Sequence, residues 1–174
     1  MYSPGTIDTC TEALLRDTVS AAQASGRAYT THIAQSVVEF NLMVERHGKT
    51  PVQWAHEIGF LTPDALLAHA IFIDDHSWLH WRTCRDLSIL ADTEVTVAHC
   101  PTPFSRYGQV LEDFGRYVRA GVTMGIGTDT LPHNFIEEMR KTAVLARIAA
   151  GDINTLGLAD ILNGATVSGA KALN

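Results

Sequence analysis

Apolar and polar positions along this chain switch between a helical and an extended period at regular intervals. Leu14, Leu15, Val19 and Ala22 recur at helical spacing and predict a helix over Thr11–Ser25, stopped by Gly26. Small and β-branched residues over Arg27–His32 predict a strand. Ser36–His47 reads as a helix, with Val37, Phe40, Leu42 and Val44 on a broad apolar side and Gly48 at its end. Pro51 opens a short helix through Ile58, at the first turn where its missing N–H does no harm. Ala65–Ile71 is apolar on both faces, as a buried parallel strand should be. Asp75 or Ser77 is placed to cap a helix running to Leu90. A strand over Glu94–Ala98, a helix over Val110–Ala120, a strand over Val122–Gly127 and helices over Asn134–Ala150 and Leu158–Leu173 complete the pattern. Helix and strand alternate throughout, which argues for a parallel sheet with helical crossovers.

Four of the apolar stretches run into a residue able to bind metal or move protons. These residues, His32, His69, His99 and Asp129, lie 37, 30 and 30 residues apart. About 30 residues is one strand–helix–strand unit. In a parallel α/β barrel every strand ends on one face, and that face carries the chemistry. The fold class expected is therefore α/β, of the (β/α)8 TIM-barrel type. A complete barrel needs roughly 200 residues at minimum. The 174 residues here hold about four units, read as one partial domain over positions 1–174 with no internal linker.

Composition narrows the function. A net charge of −6 argues against non-specific nucleic-acid binding. The longest apolar run, about nine residues around Ala65–Ile73, is too short to span a bilayer. Met1–Gly5 has no basic region followed by an apolar core, so no signal peptide is visible. Three cysteines without a C-x-x-C fit a reducing, cytoplasmic setting rather than a disulfide frame.

Each candidate has a plain reading beside the chemical one. His32 is a metal ligand or a satisfied loop histidine. Asp129, after Gly125-Ile-Gly-Thr, is a ligand or a turn cap. His69 faces substrate or water, or sits neutral in the core. His99 is a site residue or only orients the loop that follows. As a set they suit a divalent ion such as Zn²⁺, which takes imidazole and carboxylate donors and keeps an open position for water. A rival pair is His76 and His80, i and i+4 on the helix expected there. It lacks the glutamate that usually accompanies such a pair, because position 77 is serine, and Trp78 and Trp81 suggest packing instead. Dinucleotide, Walker A, G-x-S-x-G and H-x-E/P-C-x-x-C motifs are absent from the sequence.

In order, Thr31-His-Ile-Ala-Gln-Ser36, Leu67-Ala-His-Ala70, Ala98-His-Cys-Pro101 and Ile126-Gly-Thr-Asp-Thr-Leu-Pro-His-Asn134 are followed by Glu137-Glu-Met-Arg140. This combination, with the tail around Ala165–Ala172, resembles the amidohydrolase superfamily, in the branch of cytosine, guanine and S-adenosylhomocysteine deaminases and triazine chlorohydrolases. The resemblance implies a distorted barrel, of which this chain carries strands five to eight, and one divalent metal, Zn or Fe. It implies His32 and Asp129 as metal ligands, Asp129 and His69 as catalytic, and Gln35, His69 and His99 as facing substrate. The implied reaction is hydrolytic displacement of an amine or halide from a nitrogen heterocycle.

Two departures qualify that expectation. Many members carry a proton-donating glutamate where Gln35 stands, and an amide is no acid. Glu39 is read as too far along the helix to replace it. The family's H-x-H pair, which supplies two further ligands, is nowhere in the chain. The isolated chain is thus expected to bind Zn²⁺ loosely and to be inactive. Two unpaired strand edges, near Arg27–His32 and Val122–Gly127, are expected to recruit copies of itself into a homo-oligomer. The competing readings are a non-catalytic relic kept as a structural or oligomerisation partner, and a small α/β binding domain outside the family. Ser105, Arg106 and Tyr107 are expected near a substrate that the sequence does not name.

Overall fold

The computed structural model describes residues 1–173. Four strands, β1 (Tyr29–Ile33), β2 (Ala65–His69), β3 (Thr96–His99) and β4 (Thr123–Ile126), form one parallel sheet in the order β1-β2-β3-β4. The helices are α1 (Glu12–Ser25), α2 (Val37–His47), α3 (Pro51–Glu57), α4 (Asp86–Asp92), α5 (Pro101–Ser105), α6 (Phe114–Arg119), α7 (Phe135–Ala150), α8 (Leu158–Ala165) and α9 (Val167–Leu173).

The helix ends follow from local chemistry. The Thr11, Ser36, Thr50 and Asn134 side chains accept N–H groups of the first turns of α1, α2, α3 and α7. Gly26, Gly48 and Gly151 close α1, α2 and α7 in the left-handed conformation. The core lies between the sheet and these helices. Leu15 and Ala22 of α1, Phe40 and Met43 of α2, and Phe114 and Tyr117 of α6 are fully buried or nearly so. Along β1 and β2 burial alternates strictly. Tyr29, Thr31, Ile33, Ala65 and Leu67 are buried, while Thr30, His32, Leu66 and Ala68 lie on a half-exposed face. That second face is the one a closed barrel fills with side chains.

Several expectations are corrected. The second strand stops at His69 rather than Ile71, because His69 and Ala70 take φ of 81° and 46° and turn the chain out of the sheet. No helix starts at Asp75 or Ser77; the helix begins only at Asp86. The Asp74 carboxylate accepts the N–H groups of Arg85 and Asp86 and the Thr83 hydroxyl, while Asp86 accepts the Asp74 N–H. Local side-chain acceptors of this kind compete with helical hydrogen bonds. The helix expected from Val110 begins at Phe114, capped by Asp113 through the Gly115 N–H. The last expected helix is broken at Thr166 into α8 and α9. Pro101 nucleates the unexpected one-turn helix α5.

The β1 edge is not bare. Residues 2–7 run parallel beside it, with bridges from Tyr2 to Tyr29 and from Thr6 to His32. The Tyr2 N–H donates to Ala28, Thr30 donates back to Tyr2, and the Ile7 N–H donates to the His32 carbonyl. The expectation of two unpaired edges therefore holds only for β4 among the described residues, and α8 and α9 pack against that strand. No helix among the described residues is long and apolar enough to cross a membrane.

Candidate active site

Parallel pairing delivers the sequence-predicted residues to one end of the sheet. His69 pairs opposite Ile33, one position beyond His32, and His99 opposite Ile126, three positions before Asp129. The His32 and His69 rings stack with centroids 5.3 Å apart and planes at 28°. His32 Nδ1 lies 3.1 Å from the Gly5 carbonyl. In the Nδ1–H tautomer it donates there, which leaves Nε2 free as an acceptor or ligand.

His69 is buried, with the Phe104 ring edge-to-face at 4.6 Å. His99 is buried beside Phe114, at 5.7 Å. The Nδ1 atoms of both have no hydrogen-bond partner. Burial, and then the neighbouring His32, lowers the His69 pKa from 6.5 to about 3. Burial, and then His69, lowers His99 from 6.5 to about 3. Both rings are therefore neutral near pH 7, the form that can coordinate an ion or hydrogen-bond a ligand.

Asp129 stands apart from this row. It is exposed, in a left-handed turn with φ of 55°. The turn is tied back to β3 by the Gly127 N–H on the His99 carbonyl at 2.9 Å. A Cβ at position 127 would lie 3.0 Å from Cys100 Sγ, so the glycine allows the two strand ends to approach. Among the described residues, no three His, Cys, Asp or Glu side chains converge closely enough to hold a metal ion. The donor chemistry of His32 and Asp129 suits Zn²⁺ or Fe²⁺, and the orphaned imidazole nitrogens suit a ligand-receiving site. The set that this chain gathers is nonetheless smaller than a catalytic zinc site uses.

The rival pair is not built. His76 is buried, its Nε2 is 3.2 Å from the Val110 carbonyl, and its Nδ1 accepts the Trp78 N–H at 3.2 Å. With no helix over residues 75–80, the i, i+4 relation to His80 does not form. Of the residues expected near substrate, Arg106 spans to the β4 loop, donating to the Leu131 carbonyl at 2.6 Å. Tyr107 is exposed.

Buried carboxylates hold the rim. Glu39 reaches the backbone of the turn after β1, where it accepts the N–H groups of Ala34 and Gln35. Glu138 on α7, also buried, accepts the Thr102 N–H at 3.0 Å and so fixes the start of α5 after His99. The signal for Glu39 was the Ser36-x-x-Glu39 spacing of a capping box. Nothing in the sequence pairs Glu138 with Thr102, 36 residues away.

Residues 6–174 match the family model described as the Amidohydrolase family. The chain is 32% identical over 177 aligned residues to the 5-methylthioadenosine/S-adenosylhomocysteine deaminase of Thermococcus onnurineus, covering 99% of this chain and 40% of that protein. It is 32% identical to the 5'-deoxyadenosine deaminase of Methanosarcina acetivorans, covering 99% of this chain and 39% of that one. The chain thus spans about 40% of the length of the curated relatives it matches. Among solved structures, an adenosine deaminase from Xanthomonas campestris with bound zinc superposes with a TM-score of 0.87 at 24% identity, covering 98% of this chain and 38% of that one. The zinc complex of atrazine chlorohydrolase TrzN from Arthrobacter aurescens gives 0.82 at 23% identity, covering 98% and 37%. These likenesses establish the fold as a segment of a TIM-type barrel.

The buried titratable groups set the pH response. Burial raises Glu39 from 4.5 to about 7, against the opposing pull of the Gln35 and Ala34 amides. Burial, and then Asp74, raises Asp86 from 3.8 to about 7. For these two the folded value exceeds the unfolded one, so their contribution to stability is lost as pH rises through 7. For His69 and His99 the folded value is the lower, so their contribution is present above 6.5 and lost as pH falls toward 3. The two slopes oppose each other between them. The thermal midpoint should therefore stay near level from pH 4.5 to 6.5 and fall on either side. A midpoint that climbs steadily through neutrality would contradict this assignment.

Proposed function

This chain belongs to the amidohydrolase family, and we propose that positions 1–174 are the C-terminal part of one of its barrels. In that reading the segment contributes His32 and Asp129 to a single divalent metal, Zn or Fe. The observation that carries it is that His32, His69 and His99 lie at the same end of successive parallel strands, with Asp129 on the turn that leaves the fourth strand at that end. A divalent ion, when bound, supplies Lewis acidity and activates water at neutral pH.

The remaining roles belong to the chain's own groups. Asp129, exposed on its turn, accepts the proton released by the attacking water. His69, held neutral by burial, hydrogen-bonds that water or the substrate. Gln35 and His99 orient the heterocycle, and Gln35 does so without donating a proton as an acid. The reaction class is hydrolytic displacement of an amine or halide from a nitrogen heterocycle. The relatives named as deaminases of adenosine-type compounds and the neighbour named as an atrazine chlorohydrolase support a small heterocyclic substrate.

A second reading, a non-catalytic half-barrel that serves as a structural or oligomerisation partner, is favoured by Gln35 and by the incomplete donor set. In either reading copies associate beside β4, and a single monomeric species at every concentration in sedimentation would refute that association.

Calorimetric titration with Zn²⁺ tests the assignment of ligands. The isolated chain should bind loosely, and His32→Ala and Asp129→Ala should each weaken binding further, by roughly tenfold or more. Nanomolar affinity abolished by Asp129→Ala would show that the chain holds a complete site by itself.

A further inference from the structure

The turn that follows His32 is a polar knot joining two strands. Glu39 is 2% exposed and bidentate: Oε1 accepts the Ala34 N–H at 2.6 Å and Oε2 accepts the Gln35 N–H at 2.7 Å. Ala34 itself is left-handed, with φ of 50°. Its carbonyl accepts two further N–H groups, from Ile71 at 3.0 Å and from Phe72 at 2.8 Å. Those residues lie just beyond His69 and Ala70, which are left-handed as well. The Ala70 N–H donates to the Ile33 carbonyl at 3.0 Å. One residue, Ala34, therefore ties the turn carrying His32 and Gln35 to the turn carrying His69. The side chain that grips it comes from α2, whose cap Ser36 accepts the Glu39 N–H at 3.1 Å.

We propose that Glu39 is a positioning residue, whose two-oxygen grip on Ala34 and Gln35 sets the relative placement of His32, Gln35 and His69. The inference rests on the reading of His32 and His69 as site residues given above. Two convergent N–H donors require an acceptor at both oxygens. A carboxylate provides both, whereas a glutamine amide provides one acceptor and turns an NH₂ toward the second donor. Glu39 touches no reacting atom in this scheme and acts through the backbone.

The test is NMR on the full chain, comparing wild type, Glu39→Gln and Val19→Ala. Val19→Ala is a control that truncates a buried side chain of α1 and touches none of the hydrogen bonds of the turn. In the wild type the Ala34 and Gln35 amides should be strongly protected from exchange, and the His32 and His69 rings should show mutual NOEs. Glu39→Gln should cut that protection at least tenfold and remove the ring-to-ring NOEs. Val19→Ala should lower the melting temperature and leave both intact. Retained NOEs and protection in Glu39→Gln, with only a lower melting temperature, would overturn the proposal. Fast exchange of the Ala34 and Gln35 amides in the wild type would overturn it even if Glu39→Gln does not fold. Zn²⁺ affinity measured on the same samples separates the two layers. NOEs lost with affinity unchanged would support the positioning role and overturn His32 as a ligand.

Discussion

Parallel register is the constraint on which the rest of this structure depends. A strand's side chains alternate faces, so a one-residue slip would carry His32 from the half-open face into the helix-covered core. The slip is opposed by what already fills that core. Tyr29 and Ile33 on β1 and Leu67 on β2 are fully buried, and their alternates Thr30 and Ala68 are not. Each strand is thus held in register by its apolar face, and the chemically useful residues ride on the other face or at the tip. Residues 2–7 extend the same register on the outer side of β1, where the Gly5 carbonyl meets both the Thr31 hydroxyl and His32 Nδ1.

Register alone would leave the rim turns loose. The structure fixes them with buried acids that accept backbone N–H groups: Glu39 after β1, Asp74 and Asp86 after β2, and Glu138 after β3. A hydrogen bond contributes about 0.5–1.5 kcal/mol even to an uncharged acceptor, so the two bonds to Glu39 offset a left-handed alanine that costs about 1–2 kcal/mol. Burial raises Glu39 and Asp86 to about 7, so these two titrate near neutrality. Turns tied to the scaffold in this way suit a site whose ligands must keep fixed positions.

Much of this was legible in the residues. Gly26, Gly48 and Gly151 marked helix ends because the left-handed cap favours glycine, and the recurrence of His32, His69 and His99 marked three strand ends, with Asp129 on the turn beyond the fourth. What was not legible depended on partners distant in sequence or on non-glycine residues in glycine-like conformations. His69 and Ala70 end β2 early, although both fit an extended apolar run. Asp75 and Ser77 are fair helix caps, but Asp74 and Asp86 capture the backbone first. The short stretch Tyr2–Ile7 carries Pro4 and Gly5 and reads as a tail until it is seen beside β1. Within the site, the row from His32 to His99 followed from spacing, whereas the exposed, separate position of Asp129 followed only from its turn.

The central claim is that this segment carries a share of a metal site and not a whole one. Elemental analysis of the purified chain, as moles of Zn, Fe and Mn per mole of protein, tests it most directly. A value near zero is expected, because the two ligands proposed for this segment, His32 and Asp129, are fewer than the three that a catalytic zinc site typically uses. A value near one metal per chain would contradict it, and would mean that His69, His99 or a second copy completes the site.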